Sequence, residues 1–205
     1  MSTSDLATGA GSARPVGVLA GSGRLGEVLL HGVPLVSHAR RGLRDAGVEV
    51  LATDSPWNSL VTRGHRTVSG TRNGECSSTL VVHDPMCPLT PAAFISSLVD
   101  AALTSGAVQV GVRPVTDTIK SVAHDIVGRT VDRELLLAIA SPVVLAPPVV
   151  AALPDWPDTD DFANLVRSLR ELFPVQFVEV PAMGRRVEDL SAVRLLEAFA
   201  ELHPA

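Results

Sequence analysis

The fold of this chain is decided by the stretch Val16-Gly17-Val18-Leu19-Ala20-Gly21-Ser22-Gly23-Arg24-Leu25-Gly26. An apolar run ends in a glycine-rich turn with one arginine, which is typical of a buried first strand that leads into a loop at the edge of a sheet. Glycines let backbone N–H groups approach phosphate oxygens closely, and Arg24 adds a permanent forked cation. The stretch therefore predicts a nucleotide-phosphate site at residues 21–26.

Three structures are compatible with these glycines. The segment Gly21–Gly26 matches the dinucleotide pattern G-x-G-x-x-G, but His31-Gly32-Val33-Pro34 interrupts the helix that this pattern requires, and proline costs about 3 kcal/mol inside a helix. Asp54 also lies several residues beyond the expected position of the ribose-binding acid. A plain turn without a ligand is the second interpretation. A nucleotidyltransferase-type loop explains the strand, the glycines, the arginine and the delayed helix together.

The composition limits the class of protein. The chain has 205 residues, of which 46% are hydrophobic and 19% charged, and we expect a single domain over residues 15–205 after a disordered polar tail over residues 1–14. The net charge of -5 argues against a nucleic-acid partner. The sequence shows neither an apolar run as long as a membrane span nor the apolar core of a signal peptide, so we expect a cytoplasmic protein with no membrane partner. Two cysteines make no disulfide framework, and neither they nor the histidines have zinc-binding spacing.

Strand and helix patterns alternate along the chain. Strands are predicted at residues 16–20, 48–52, 79–82, 108–112 and 175–180, and helices at 34–46, 91–105, 147–153, 160–172 and 191–202. Thr90 is the predicted cap of the second helix. Residues 53–78 are predicted to be mostly loop, and residues 113–142 an extended arm. This order predicts an α/β fold with a mainly parallel sheet, which binds ligands beyond the carboxyl ends of its strands.

The segment His83-Asp84-Pro85-Met86-Cys87-Pro88 follows the most apolar of these strands. A carboxylate at such a strand end is well placed to hold Mg²⁺ against a triphosphate. A strand-terminating Asx turn at Asp84 is an equally good interpretation from the sequence alone. A thiolate–imidazole pair of Cys87 and His83 is a third, weaker one, because two prolines forbid a regular helix here.

A polar cluster, Asp117-Thr118-Ile119-Lys120, follows the strand at 108–112, and Arg129 and Arg133 come later. A solvated surface arm is the ordinary explanation for each of these residues. Lys120 is the only lysine of the chain, so any mechanism that needs a lysine depends on it.

With these motifs in place, the chain resembles the 2-C-methyl-D-erythritol 4-phosphate cytidylyltransferase family of isoprenoid biosynthesis. The family pattern begins with a strand and A-A-G-x-G-x-R-x-G, and continues through P-K, G-x-P, H-D-A-A-R-P, D-T-x-K, E/D-R and T-P-Q to a late P-E-D-L. The order is kept here over about residues 16–203. The matching residues are Ala20-Gly21-Ser22-Gly23-Arg24-Leu25-Gly26, Gly32-Val33-Pro34, His83-Asp84 with Pro88, Asp117-Thr118-Ile119-Lys120, Asp132-Arg133, Ser141-Pro142 and Glu188-Asp189-Leu190.

The resemblance implies a Rossmann-like, three-layer nucleotidyltransferase fold with an extended β-arm. It also implies a reaction in which a hydroxyl of a sugar or polyol phosphate attacks the α-phosphate of CTP and expels pyrophosphate. The residues that the family motifs assign to the nucleotide are Ala20, Gly21, Ser22 and Gly23, with Arg24 as the catalytic arginine and Asp84 as the ligand of Mg²⁺.

The other half of the implied site would hold the second substrate. Thr118, Arg133 and Ser141 match family residues that hold the sugar phosphate. The arm at residues 113–142 would cross to a partner subunit, so that Arg133 would act across a homodimer.

This chain departs from the family pattern at residues that carry the chemistry. The P-K lysine has no counterpart, the glycine loop is one residue shorter, and Cys87 replaces the arginine of H-D-A-A-R-P. T-P-Q has become Ser141-Pro142-Val143, and residues 64–78 contain no match to the segment that helps to hold cytosine. The late substrate-side lysine is also missing, with Arg185 and Arg186 as the nearest candidates to replace it.

Loss of one pre-organised charge commonly costs on the order of 10²–10³ in rate. We therefore expect a divergent cytidylyltransferase-like protein that is weak or inactive in transferring CMP to 2-C-methyl-D-erythritol 4-phosphate. Two alternatives stay open at this stage. One is an active nucleotidyltransferase with an altered substrate, and the other is a non-catalytic dimeric binding or regulatory module.

Overall fold

Six strands form the central sheet of the computed structural model, which describes residues 14–21, 23–52, 55–57, 78–116, 119–123 and 126–202. The strand order is β10-β6-β9-β5-β1-β4. The bounds are Val16–Leu19 for β1, Glu49–Val50 for β4, Leu80–His83 for β5, Val108–Pro114 for β6, Leu137–Leu145 for β9 and Val175–Glu179 for β10. Strands β1, β4 and β5 are parallel, as are β6 and β10. The predicted α/β fold with a mainly parallel sheet is confirmed.

Strand β9 is the element that the sequence pattern does not predict. It lies between β5 and β6 and runs antiparallel to both. Most of its residues fall within the predicted extended arm, whose predicted end at residue 142 is therefore too late. Val143, Val144 and Leu145 are fully buried, so β9 forms part of the core.

The helices follow the predicted pattern with small shifts. Their bounds are Leu35–Asp45 for α1, Ala92–Ser105 for α2, Pro147–Ala152 for α3, Phe162–Leu172 for α4 and Leu190–Leu202 for α5. Leu35, Ala39 and Leu43 form the buried face of α1. Helix α2 ends at Gly106, whose φ of 68° is the left-handed conformation that glycine adopts without cost.

Two predicted helix starts need correction. Thr90 does not cap α2, because Pro91 holds the cap position and the Thr90 hydroxyl donates to the carbonyl of Cys87 at 3.0 Å. Helix α4 is capped by Asp161 rather than begun by Asp160, since Asp161 Oδ1 accepts from the backbone N–H groups of Ala163 and Asn164. Because Asp161 is the N-cap, the carboxylate of Asp160 is not used to cap α4.

Between β1 and α1 the chain makes a short 3₁₀ turn and a small hairpin. The turn spans Gly23–Glu27, and the hairpin pairs β2, Leu29–Leu30, with β3, Val33–Pro34. The first long helix is thereby delayed to Leu35, as the interrupting proline predicted.

A second hairpin projects between β6 and β9. It pairs β7, Ile119–Ala123, with β8, Ile126–Val131, in a two-stranded sheet of its own, and a 3₁₀ turn at Arg133–Leu135 leads from it into β9. This part of the predicted arm is extended, as expected. The predicted tail, except Arg14, and most of the predicted loop at 53–78 lie outside the described residues.

The hydrophobic core has two parts. The larger one surrounds the sheet, α1, α2 and α4. The smaller one joins Leu30, Leu35, Met86, Val187, Val193 and Leu196. Because Met86 belongs to it, the loop after β5 is packed against the segment that precedes α5. In the described part of the chain, no helix is long and apolar enough to cross a membrane.

Candidate functional site

A cavity of about 520 Å³ opens at the carboxyl ends of β1 and β5. Its volume lies in the usual range for small-molecule sites. Both predicted segments contribute to it, Ala20 and Gly21 from the glycine-rich stretch and Asp84 from the loop after β5. The remaining lining residues are Leu137, Ile139, Thr159, Asp160, Asp161, Phe162, Ala163, Arg186 and Glu188. The predicted location of the site therefore contains a real cavity.

Asp84 is held rigidly at this cavity. Its Oδ1 accepts from the backbone N–H of Met86 at 2.8 Å, and its own N–H donates to Ser141 Oγ at 2.8 Å. The bond to Met86 is an Asx-type turn, so the ordinary interpretation of Asp84 is correct for Oδ1. Its Oδ2 accepts from Arg186 Nε at 2.8 Å. The carboxylate therefore combines a structural oxygen with an oxygen that is paired to a cation.

Ser141 is fully buried beneath Asp84 and connects β9 to the end of β5. Its Oγ lies 2.5 Å from His83 Nδ1. Since Oγ accepts from the Asp84 N–H, its own hydrogen is available to donate to a neutral His83. Burial lowers the pKa of His83 to about 4, although the charge of Asp84 and a backbone hydrogen bond at Cys87 act in the opposite direction. The histidine is neutral at pH 7 and serves as a hydrogen-bond acceptor.

Cys87 is a buried thiol and not a nucleophile. Burial and the charge of Asp84 raise its pKa to about 12, and its side chain has no exposed surface. The interpretation of Cys87 and His83 as a thiolate–imidazole pair is therefore wrong, because neither group carries its charge at pH 7. The arginine of the family motif has been replaced by a side chain that faces the core.

Arg186 is the one positively charged side chain among the described residues that line the cavity. Besides Asp84, it contacts Glu188, with Nη1 to Oε1 at 3.4 Å. Burial opposes its charge, but the hydrogen bond and the charge of Asp84 outweigh this effect and raise its pKa. The sequence pointed to Arg186 only as a candidate for the missing late lysine. Its partner lies 102 residues away, so no local pattern could reveal the pair.

The glycine turn faces an acidic segment. A Cβ atom placed on Gly21 would lie 3.2 Å from Asp160 Oδ1, a tight contact that the exposed Asp160 side chain would have to relieve by a small shift. Asp160 and Asp161 both line the cavity, and Asp161 uses its carboxylate to cap α4. The sequence pattern indicates Asp160 only as a helix start and does not reveal its place beside Gly21.

The other predicted site residues are distributed differently. Arg24 is exposed on the 3₁₀ turn and is not among the residues that line the cavity. Arg133 is exposed at the base of the hairpin, where its Nη1 donates to the carbonyl of Thr116 at 2.7 Å. Ser22 and Thr118 lie outside the described residues, and of Gly23 and Lys120 the backbone alone is described. Within one chain, the cavity joins Ala20, Gly21 and Asp84 but not Arg24, Arg133 or the buried Ser141.

The charges of the cavity are unusual for a phosphate site. Among the described residues that line it, Arg186 is the single cation, and Asp84, Asp160, Asp161 and Glu188 are carboxylates. A polyphosphate therefore needs further positive charge from a metal ion, from Arg24 or from a partner subunit. Across the described residues, no three His, Cys, Asp or Glu side chains form a metal-binding group. A cation at Asp84 would therefore complete its coordination with water or with oxygens of the ligand.

Comparison with known proteins identifies the relatives of this fold. The family model for 2-C-methyl-D-erythritol 4-phosphate cytidylyltransferase matches residues 12–167. A protein of that name from Nocardia farcinica is 30% identical over 211 aligned positions, which cover 89% of this chain and 90% of the relative. The crystal structure of the Thermus thermophilus protein of that name is 21% identical and superposes with a TM-score of 0.63, covering 92% of this chain and 99% of that one. The structure of a 4-diphosphocytidyl-2C-methyl-D-erythritol synthase from Anaerococcus prevotii superposes with a TM-score of 0.62 at 13% identity, covering 93% and 99%.

Proposed function

The chain belongs to the 2-C-methyl-D-erythritol 4-phosphate cytidylyltransferase family, and we propose that it binds CTP and a polyol phosphate but transfers CMP between them with little or no turnover. The observation that carries the proposal is the charge of the cavity. It keeps the glycine turn and Asp84, yet Arg186 is the single cation among its described lining residues. Residues of both predicted binding segments thus line the cavity, while the positive charges that would stabilise a reacting phosphate are reduced.

The nucleotide would bind along the end of β1. Backbone N–H groups from Gly21, Ser22 and Gly23 would contact phosphate oxygens, and Arg24 would reach them from the exposed 3₁₀ turn. Ala20 is buried and its N–H is already bonded to the His83 carbonyl at 2.9 Å, so it fixes the start of the loop rather than donating to the ligand.

The proposed reaction forms a bond between a hydroxyl oxygen of the polyol phosphate and the α-phosphorus of CTP. The bond from that phosphorus to the bridging oxygen of the β-phosphate breaks, pyrophosphate leaves, and the hydroxyl proton passes to solvent. Negative charge grows on the leaving group, and fixed cations are the main means of stabilising it. Because Cys87 is neutral and buried, the position of the family arginine contributes no such charge.

A Mg²⁺ ion is implied by the family, and Asp84 is the residue that would hold it. Asp84 suits this ion, because it has a carboxylate oxygen at the cavity and Mg²⁺ prefers hard oxygen ligands. When bound, the ion would neutralise phosphate charge. Asp84 itself is prevented from moving by its bonds to Met86 and Ser141.

The polyol phosphate would be held by Thr118 and by Arg133 of a second subunit, in a homodimer made through the arm. Support for this comes from Arg133, which is exposed and is not among the residues that line the cavity of its own chain. Ser141 would act indirectly, by fixing Asp84.

Thermal shift measurements test the binding half of the proposal. CTP with Mg²⁺ should raise the melting temperature, because a ligand that binds the native state stabilises it. Asp84→Asn and Arg24→Ala should each reduce the shift. Asp100→Asn, which removes an exposed carboxylate on α2, is the matched control and should leave the shift unchanged.

Pyrophosphate release tests the catalytic half. With CTP and 2-C-methyl-D-erythritol 4-phosphate, we expect a rate at least about 10²-fold below that of an active family member assayed alongside. Robust turnover would refute the proposal of weak catalysis and leave an active enzyme. The absence of any CTP-induced shift would refute nucleotide binding at this site.

A further inference from the structure

Arg186 occupies the side of Asp84 that a divalent cation would need. Its Nε lies 2.8 Å from Asp84 Oδ2, and the other carboxylate oxygen accepts from the Met86 N–H at 2.8 Å. Both oxygens therefore have a donor from the protein in the ligand-free chain. A divalent cation and a guanidinium carry the same sign of charge and compete for the same oxygen.

We propose that Arg186 is an internal competitor of the divalent cation at Asp84, and that the cation binds only when Arg186 leaves the carboxylate. The inference deepens the proposed function, since it rests on the assignment of the cation to Asp84. It does not rest on catalysis, because the competition exists in the absence of any nucleotide.

The two partners differ in their freedom to move. The Asp84 side chain is 12% exposed, and its backbone N–H is bound to the buried Ser141. The Arg186 side chain is 47% exposed, and its guanidinium stands at the end of a long flexible aliphatic chain. Displacement of the pair therefore moves the arginine and leaves the carboxylate in position.

Arg186 also has alternative partners to Asp84. Glu188 Oε1 is already 3.4 Å from its Nη1, so a small rotation would strengthen that contact. A polyphosphate in the cavity would be a stronger partner, because a guanidinium binds phosphate oxygens in a forked arrangement. A ligand that takes Arg186 would therefore open Asp84 to the cation, and the apparent metal affinity should rise when a polyphosphate is present.

The competition predicts an effect that a purely structural ion pair does not. A structural pair would lose stability when Arg186 is removed, with no gain in metal binding. A competing arginine would, on removal, expose a fixed carboxylate that binds metal more tightly.

A titration with Mn²⁺ in the absence of nucleotide distinguishes these cases. Binding is measured as the decrease of the free Mn²⁺ signal in electron paramagnetic resonance. The full-length wild type, Arg186→Gln and Arg194→Gln are compared. Arg194 is an exposed arginine of α5, so its variant changes the net charge equally at a remote position. We expect Arg186→Gln to bind Mn²⁺ about tenfold more tightly than the wild type, and Arg194→Gln to match the wild type.

Two further proteins make the result decisive. The double variant Asp84→Asn with Arg186→Gln should lose the gain, which assigns the ion to Asp84. Arg186→Lys keeps a positive charge and should fall between the wild type and Arg186→Gln, and it replaces that variant if Arg186→Gln does not fold. Equal Mn²⁺ affinity in the wild type and the Arg186 variants, no binding in any of them, or a gain that survives Asp84→Asn overturns the proposal.

Failure of this inference and failure of nucleotide binding are separable. The Mn²⁺ titration contains no nucleotide, whereas the CTP-induced shift is measured on the wild type. A wild type that binds CTP, with Arg186 variants that gain no metal affinity, would preserve the proposed function and refute the competition.

Discussion

Ser141 Oγ lies 2.5 Å from His83 Nδ1, across 58 residues of sequence, and the same oxygen accepts from the Asp84 N–H at 2.8 Å. This contact ties the end of β5 to β9, the two adjacent antiparallel strands below the cavity. The carboxylate of Asp84 is thus positioned by a hydroxyl that is itself fully buried. The position of the Asp84 carboxylate therefore depends on buried hydrogen bonds as much as on the residues that line the cavity.

Replacement of Ser141 with alanine tests this dependence. Ser141→Ala leaves the Asp84 N–H and the His83 nitrogen without a partner, and an unsatisfied buried group costs about 1–3 kcal/mol. We expect the free energy of unfolding, measured by urea titration, to fall by at least that amount.

Ser97→Ala is the control for this change. The Ser97 hydroxyl is exposed and donates only to the carbonyl of Phe94, one turn away on α2. Its removal should change stability by less than about 0.5 kcal/mol. Equal losses in the two variants would show that the Ser141 bonds contribute little.

The buried His83 predicts a particular dependence of stability on pH. Its pKa is about 4 in the folded chain against 6.5 in the unfolded chain. Between these two pH values the unfolded state binds the extra proton, so stability rises with pH. The contribution of neutral His83 to the free energy of unfolding is complete above about pH 6.5. It is lost as the pH falls towards 4, and the total loss is about 3 kcal/mol.

Urea titrations at several pH values check this prediction against His83→Gln. As the pH falls over the same interval, the variant should lose stability less steeply than the wild type. The difference between the two slopes should be about 1.4 kcal/mol per pH unit. His31→Asn is the control, because it removes an exposed histidine, and asparagine tolerates the positive φ of 49° at that position. Parallel pH profiles for the wild type and His83→Gln would contradict a neutral buried His83.

The sequence predicted the sheet edge of the site but not its charges. The glycine stretch and the apolar strand before Asp84 are local patterns, and parallel strands bring their carboxyl ends together whatever the loops contain. The Arg186–Asp84 pair and the approach of Asp160 to Gly21 join distant parts of the chain. No periodicity or spacing encodes such contacts, because they depend on how two loops pack.

Strand β9 escapes prediction for a different reason. Pro142 interrupts an otherwise apolar run, and proline is rarely found in a central strand, so the sequence pattern indicates the end of an arm there. In the structure the pairing of β6 and β9 shifts register between Val110 and Val112, opposite Ser141 and Pro142. An irregularity of this kind is where a strand accepts a residue without an N–H.

Cys87 yields a prediction about the lost arginine. Cys87→Arg restores the family residue in sequence, but the side chain would enter a site with no exposed surface. Overpacking and a buried charge together should cost more than about 3 kcal/mol, so we expect a lower melting temperature and no gain in pyrophosphate release. Cys87→Ala, which removes the thiol without adding volume, is the control and should be less destabilised. A stable Cys87→Arg protein with increased turnover would show that this loop can reopen towards the cavity.

The hairpin of β7 and β8 needs a surface to pack against. These strands pair with each other in a sheet separate from the central one, and a two-stranded hairpin alone is marginally stable in water. The Arg133 guanidinium, bound to the Thr116 carbonyl at 2.7 Å, connects the chain segments that enter and leave the hairpin. We therefore expect the hairpin to pack against a second copy of the chain, and analytical ultracentrifugation at micromolar concentration to show a homodimer.

Replacement of residues 119–131 with a short Gly-Ser linker should produce a monomer whose melting temperature changes little, because the linker leaves all six strands of the central sheet in place. A monomeric wild type would refute the dimer, and a linker variant that still sediments as a dimer would place the subunit contact elsewhere. Either result would remove the basis for Arg133 acting across subunits.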